Sequence, residues 1–430
     1  MKIIYDPIHG PIELSELCIQ IINTVEFQRL RNIYQLGVCY YVFPGASHKR
    51  FEHSIGVCHL AGEFIKSLQK NQSELNIDSQ MVENVQIAGL CHDLGHGPFS
   101  HLFDHDFLET FYEDPQTQNL YHEDRSCNIL KKMITKYQIQ LSPERLDIIC
   151  DLIYPKEKKK LKQSWLYEIV ANCDNGIDVD KFDYLCRDCY NLGISKSFCH
   201  LRLLKYARVI NNHICYPKKM IFEINNLFQT RYMLHNQFYN HQVVKSIEFM
   251  ITDIFKLINP YYNLSVCIND LDSFLRLDDN LLSIISFKFS GDTNMLAAQQ
   301  ILSDIQTRKL YRFIEEVSIL EKNPSVSSFK QICSFIQSKY PKYKIPKFDT
   351  YQLIIENLDL SYSFSALKDV HFYDSSTLEI VNIETQDFQQ CIHPIKNKKL
   401  RFFYREQQVP DSVVKLVSDF KKMYYQSHFF

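Results

Sequence analysis

Residues 90–101 read Leu-Cys-His-Asp-Leu-Gly-His-Gly-Pro-Phe-Ser-His, and the adjacent pair His92-Asp93 constrains the fold more than any other feature. It closes an apolar stripe of helical period formed by Met81, Val82, Val85, Ala88 and Leu94. Asp78 or Ser79 can cap the start of that helix, and Gly95 with Gly97-Pro98 can end it. An imidazole and a carboxylate at a helix end can face one cation. Arg50-Phe-Glu-His53 supplies a second imidazole, and Asp178-Val-Asp180-Lys181 further carboxylate. Two His and two Asp from separate segments suit zinc, iron, manganese or nickel, and they require a fold in which those segments meet. His-Asp alone is also common at solvated helix ends, so its surroundings decide the reading.

A chain of 430 residues can bury one large or two medium cores, and its 45% apolar content is that of a folded protein. Lys plus Arg (48) nearly balance Asp plus Glu (50), giving a net charge of -2. Nucleic-acid binding is therefore not supported by global charge, and any anion site must be built locally. The 14 cysteines are scattered, and Cys186 with Cys189 is the lone CxxC. A zinc ribbon needs a second pair, so these two are read as buried thiols. The start, Lys2-Ile-Ile-Tyr-Asp-Pro7, resembles no leader, and no apolar run approaches about 18 residues. A soluble protein of a reducing compartment, cytoplasmic or nuclear, is expected.

Most of the first 260 residues carry helical patterns, and Met220–Asp253 reads as one long helix or a close pair. Arg231, His235 and Tyr239, four apart, should share a face, as would any exposed polar stripe. Lys156–Lys162 reads as a solvated loop. Beyond Pro341 and Pro346 come strand-like runs at Gln352–Leu358, Val370–Tyr373, Leu378–Ile383 and Leu400–Arg405, then a helix after Pro410. The expected fold is mainly α: a helical catalytic body over residues 1–335 and a smaller C-terminal α+β lobe over 336–430.

Several motifs occur in order: Asp6-Pro-Ile-His-Gly10, Phe27-Gln-Arg-Leu-Arg31, Tyr40-Tyr-Val-Phe-Pro-Gly-Ala-Ser47, Arg50-Phe-Glu-His53, His92-Asp93 and Asp178-Val-Asp-Lys-Phe-Asp-Tyr184. In these the chain resembles the sterile-alpha-motif and HD-domain deoxynucleoside triphosphate triphosphohydrolases, from about residue 2 to 255 and more weakly beyond. The chain begins where the HD body would. The resemblance assigns His53, His92, Asp93 and Asp180 to a divalent metal ion, with zinc, iron, manganese and magnesium as candidates. It implies hydrolysis at the α-phosphorus to a deoxynucleoside and inorganic triphosphate. His101 matches the donor to the leaving 5′-oxygen, with His122 and Asp104 as relay partners that could hold the imidazole protonated. Arg50 and His96 match positions at the α-phosphate, and Lys181, Tyr184 and Arg231 positions at the outer phosphates. Gln35 and Asp188 match contacts to the sugar 3′-hydroxyl, Leu36 and Tyr239 those crowding the 2′ carbon. His235 and Asn240 join the substrate-binding set, Asn240 standing where the family has glutamine.

The resemblance also implies a homo-oligomer activated by nucleotides, and there the pattern breaks. Gln28 and Arg31 match the guanine site, but Asn23 replaces an aspartate that accepts two guanine N–H groups. Arg208, Lys219 and His241 match the second activator site. Pro217, Glu223 and Gln242 replace cationic or polar residues there, and Glu223 should repel phosphate. Asp369–Pro394 has neither lysine nor arginine. Activation by guanine nucleotide should therefore be lost or altered. Other readings are an HD phosphohydrolase of nucleoside monophosphates or cyclic nucleotides, and a non-catalytic nucleotide or nucleic-acid binding module. Neither requires Lys181, Tyr184 and Arg231 together with the complete His/Asp set.

Overall fold

In the computed structural model, Asp78 caps the expected helix, its carboxylate accepting the Met81 N–H at 2.7 Å. That helix runs Ser79–Cys91, and His92 stands at its C-terminal cap. The structure describes residues 2–112, 114, 117, 119–155, 163–288, 291–319, 326–360, 367, 369–381 and 398–426. The Lys156–Lys162 run and much of Asp369–Pro394 lie outside the described residues.

The chain is mainly α and divides into two compact units. One comprises Met1–Met233, Ile258–Lys288 and Phe364–Ile392; the other comprises Leu234–Leu257, Phe289–Ser363 and His393–Phe430. Both are discontinuous, unlike the single cut expected at residue 335, which falls inside helix Phe329–Lys339. The reason is strand pairing: Arg312–Ile319, assigned by the sequence reading to the first domain, pairs with Lys398–Tyr404.

The first unit is organised around helix Arg50–Asn71, buried on nearly every side from Phe51 to Leu68. Such all-round burial marks a central helix. Helices Ser79–Cys91 and Val179–Asn191 pack against it. Lys2–Asp6 and Gly10–Leu14 form an antiparallel pair. A second sheet has the order Arg208–Ile210, His213–Pro217, His371–Tyr373, Ile380–Val381. Its middle pair is parallel, so the strands expected at 370–373 and 378–383 join this unit rather than the C-terminal lobe. Cys186 and Cys189 are buried thiols without a disulfide.

In the second unit Lys398–Tyr404 is the centre of a three-stranded antiparallel sheet, between Arg312–Ile319 and Leu353–Asp359. Val317, Leu400 and Phe402 pack with Ile332, Phe335 and Ile336 of helix Phe329–Lys339 and with Leu416, Val417, Phe420 and Tyr424 of helix Asp411–Gln426. Met220–Asp253 is two successive helices, Ile221–Leu234 and the start of Gln242–Tyr262, with a π-helical turn at His235–Tyr239 between them in sequence, where the first unit gives way to the second. The face expected to carry Arg231, His235 and Tyr239 is interrupted there, while His235 and Tyr239 remain edge to face at 4.9 Å. Among the described residues, no helix is long and apolar enough to cross a membrane.

Candidate metal centre and active site

Three helix ends converge in the first unit. His53 lies in the first turn of Arg50–Asn71, where the Glu52 carboxylate accepts the Lys49 N–H at 2.7 Å. Asp180 lies in the first turn of Val179–Asn191, capped by Asp178. His92 and Asp93 follow the end of Ser79–Cys91. His53 Nε2 is 3.0 Å from Asp180 Oδ1 and 3.5 Å from Asp93 Oδ2. His92 Nε2 is 3.3 Å from Asp93 Oδ1 and 3.5 Å from Asp180 Oδ1. Both nitrogens are buried, and neither makes a hydrogen bond. Such separations are of the order of the edges of a ligand shell with bonds of about 2.0–2.2 Å, so His53, His92 and Asp93 could hold a divalent cation, with Asp180 Oδ1 beside both imidazoles.

Their orientation is set behind the shell. His53 Nδ1 is 2.7 Å from Asp183 Oδ2, and His92 Nδ1 is 2.8 Å from the Gly89 carbonyl. With Nδ1–H donating, each Nε2 presents its lone pair inward. Asp183 also meets Arg187 Nε at 2.8 Å and His9 Nε2 at 2.6 Å, and Arg187 Nη1 donates to Asp6 Oδ2 at 2.9 Å. Burial disfavours the charge on Asp183, but Arg187 and the His53 and His9 hydrogen bonds outweigh it and hold the carboxyl well below the usual range. Gly56 makes room for this pair: a Cβ there would lie 2.0 Å from Asp183 Oδ1 and 2.5 Å from Arg187 Nη2. The supporting roles of His9, Asp183 and Arg187 emerge only in the fold. The signal was present, since Asp180, Asp183 and Arg187 share a helical face and Asp6 and His9 lie in a noted motif.

Arg50 joins the cation group to the loop beyond it. Its Nη1 is 2.6 Å from Asp93 Oδ2, and its Nε donates to Ser100 Oγ at 2.8 Å. His96 Nε2 is 3.3 Å from Asp93 Oδ1. The His96 and His122 rings stack at 3.8 Å, with His101 edge-on to them at 5.0 and 5.6 Å. Asp104 binds Arg125 and lies 3.3 Å from His122 Nδ1. Desolvation, Arg50 and His122 push the His101 imidazole down to about 3. The Asp104 carboxylate opposes that shift.

Gln35 is buried, and its Oε1 has no hydrogen-bond partner. Leu36 beside it is half-buried. Asp188 Oδ1 is 2.7 Å from His48 Nε2, a partner not foreseen. Lys181 Nζ is 3.1 Å from Asp178 Oδ2. Burial raises the Tyr184 hydroxyl while the Lys181 and Arg231 charges oppose the shift. His235, Tyr239 and Asn240 belong to the second unit, where Asn240 Nδ2 donates to the His235 carbonyl at 2.9 Å.

The expected activator residues are engaged locally. Asn23 caps the end of helix Glu16–Ile22. Arg31 Nε donates to Gln28 Oε1 at 2.8 Å and lies 3.5 Å over the Phe51 ring. Arg208 lies on its strand, and Lys219 Nζ is 4.8 Å from the Tyr206 ring. His241, in the second unit, accepts the Val243 N–H at 3.2 Å. Glu223 accepts the Cys199 N–H and meets Arg202 at 2.9 Å. Arg202 thus stands beside the Glu223 carboxylate.

The HD domain family matches residues 50–188. The deoxynucleoside triphosphate triphosphohydrolase SAMHD1 of Bos taurus is 37% identical over 423 residues, covering 88% of this chain and 70% of that protein. The SAMHD1 homolog of Dictyostelium discoideum is 36% identical over 422 residues, covering 96% of this chain and 79% of that protein. The Homo sapiens protein is 41% identical over 350 residues, covering 74% of this chain but only 55% of its own length. The chain belongs to the SAMHD1 deoxynucleoside triphosphate triphosphohydrolase family. The HD match encloses His53, His92, Asp93 and Asp180, then His96, His101, Asp104 and His122, and the Asp183–Arg187 pair. Gln35, Leu36 and Arg231 fall outside it.

Proposed function

We propose that this chain hydrolyses deoxynucleoside triphosphates at the α-phosphorus, releasing a deoxynucleoside and inorganic triphosphate. The observation that carries this is the group of His53, His92, Asp93 and half-buried Asp180, with two buried Nε2 atoms that lack a hydrogen-bond partner, Asp180 lying on the helix start that also bears Lys181 and Tyr184. A divalent cation held by those four residues supplies a polarised phosphoryl oxygen and a water of lowered pKa.

The remaining work falls to this chain's own groups. Arg50 and His96 face the α-phosphate, Arg50 releasing part of its fork from Asp93 or Ser100 to do so. Lys181, Tyr184 and Arg231 bind the outer phosphates. The triphosphate's negative charge raises the His101 imidazole from its neutral resting form, and His101 protonates the leaving 5′-oxygen, with His122 and Asp104 as relay. The unpartnered Gln35 acceptor and Asp188 receive the 3′-hydroxyl. Leu36 crowds the 2′ position. A ribose hydroxyl would then clash or stay unpaired. A homo-oligomer with altered nucleotide activation accompanies this reading.

The test is to incubate manganese-loaded protein with each dNTP, with and without GTP, and to resolve the products by chromatography. Deoxynucleoside plus triphosphate is expected. Release of diphosphate or monophosphate, or equal turnover of ribonucleotides, sinks the reading or its deoxy selectivity.

A further inference from the structure

We infer that Asp279 is a positioning residue of this site, its buried carboxylate locking the segment that bears Gln35 and Leu36 to the segment that bears Ser100 and His101. The inference rests on the roles proposed above for those residues. Asp279 Oδ2 accepts the Tyr34 N–H at 2.8 Å, and Oδ1 accepts the Phe99 N–H at 2.7 Å. Tyr34 immediately precedes Gln35, and Phe99 lies two residues before His101. Two more contacts join the same segments. Ser100 Oγ donates to the Tyr34 carbonyl at 2.8 Å while accepting from Arg50. Gly37, at φ +52°, lets the Phe99 carbonyl approach to where a Cβ would be only 3.0 Å away.

The clamp has something to hold. Phe99 and Ser100 adopt φ of 59° and 62°, left-handed values that non-glycine residues keep only where their surroundings over-determine them. Two backbone N–H donors arriving from different segments need two acceptors on one side chain. A carboxylate has them, whereas an asparagine amide would turn a donor toward one N–H. The charged and titratable groups around Asp279 are Lys49, Asp278, Arg29 and the Tyr34 and Tyr40 hydroxyls. Burial pushes the Asp279 carboxyl up to about 7, with the two N–H donors and Lys49 opposing. Protonation below neutrality converts one of its acceptors into a donor and weakens the clamp.

The test uses the full chain with manganese and dATP, comparing wild type with Asp279→Asn. The variant should keep its metal content while kcat falls by roughly 10- to 100-fold, the scale of small misplacements in active sites. Amide exchange in residues 33–37 and 97–101 should quicken, and the acid limb of wild-type activity near neutrality should disappear. A merely structural role would lower the melting temperature but leave kcat per folded molecule and the pH profile unchanged. Wild-type kcat and exchange in the variant would overturn the inference. If the variant does not fold, wild type is compared at about pH 6 and pH 8 after correction for intrinsic exchange. Protection at Tyr34 and Phe99 should fall on acidification, and equal protection overturns the clamp. If wild type releases no triphosphate, the proposed function fails, and exchange still decides the clamp.

Discussion

Asp104 shows how one buried side chain can bear on both stability and catalysis. Burial works against its charge, yet Arg125 and His122 hold its carboxyl down to about 2. Because the folded pKa lies below the unfolded value, its stabilisation is complete above about pH 4 and is lost as pH falls through the folded value. Asp104→Ala, which strands a buried guanidinium, should cost about 3–5 kcal/mol at neutral pH in denaturant unfolding, and the gap to wild type should narrow toward pH 2. A pH-independent gap would contradict the pairing. Asp183 acts through His53, so Asp183→Asn should weaken metal binding by about 10- to 100-fold in a competition titration. Unchanged affinity would show that His53 needs no such support. His101→Ala should retain metal while losing roughly 10²–10⁴ in rate, whereas Asp180→Ala should lose the metal itself. Equal metal content in these two variants would overturn their separate roles.

At the scale of elements, helix ends were the most legible part of the chain. The Met81–Leu94 stripe, the Asp78 cap and the glycines after Leu94 placed His92-Asp93 at a terminus because capping chemistry is local. The strand at Arg312–Ile319 was not read, since Glu315 and Glu316 sit together beside a register shift between Phe313 and Glu315 and blur the period of two. The winding change at His235–Tyr239 likewise leaves no mark in residue spacing. The central strand Lys398–Tyr404 and helix Asp411–Gln426 share one core, so Phe420→Ala should destabilise the second unit by about 3–5 kcal/mol in denaturant unfolding. A loss below 1 kcal/mol would mean that this core tolerates collapse around the missing ring.

For the whole molecule, cation binding should register as stability, because the shell is assembled from three helix ends that are apart in the unfolded chain. Chelation should lower the melting temperature, and free cation at about 100 times its Kd should return roughly 2.7 kcal/mol. Melting indifferent to chelator would argue against a resident ion. Asn23 offers one acceptor in place of two, so GTP should not drive strong assembly in light scattering, and strong assembly would refute that expectation.

Residue types and their order by themselves determined the helical body, the later strands and His92-Asp93 at a helix end, because capping chemistry and local periodicity are written in the chain, while the choice of Asp180 as a fourth ligand came from the family resemblance. Tertiary structure alone decided that strand 312–319 pairs with 398–404, that His371–Tyr373 joins the first unit, and that Asp183 and Asp279 take the places they do. Each of those depends on groups far apart in sequence meeting in space. No spacing rule records which distant N–H or imidazole a buried carboxylate will face.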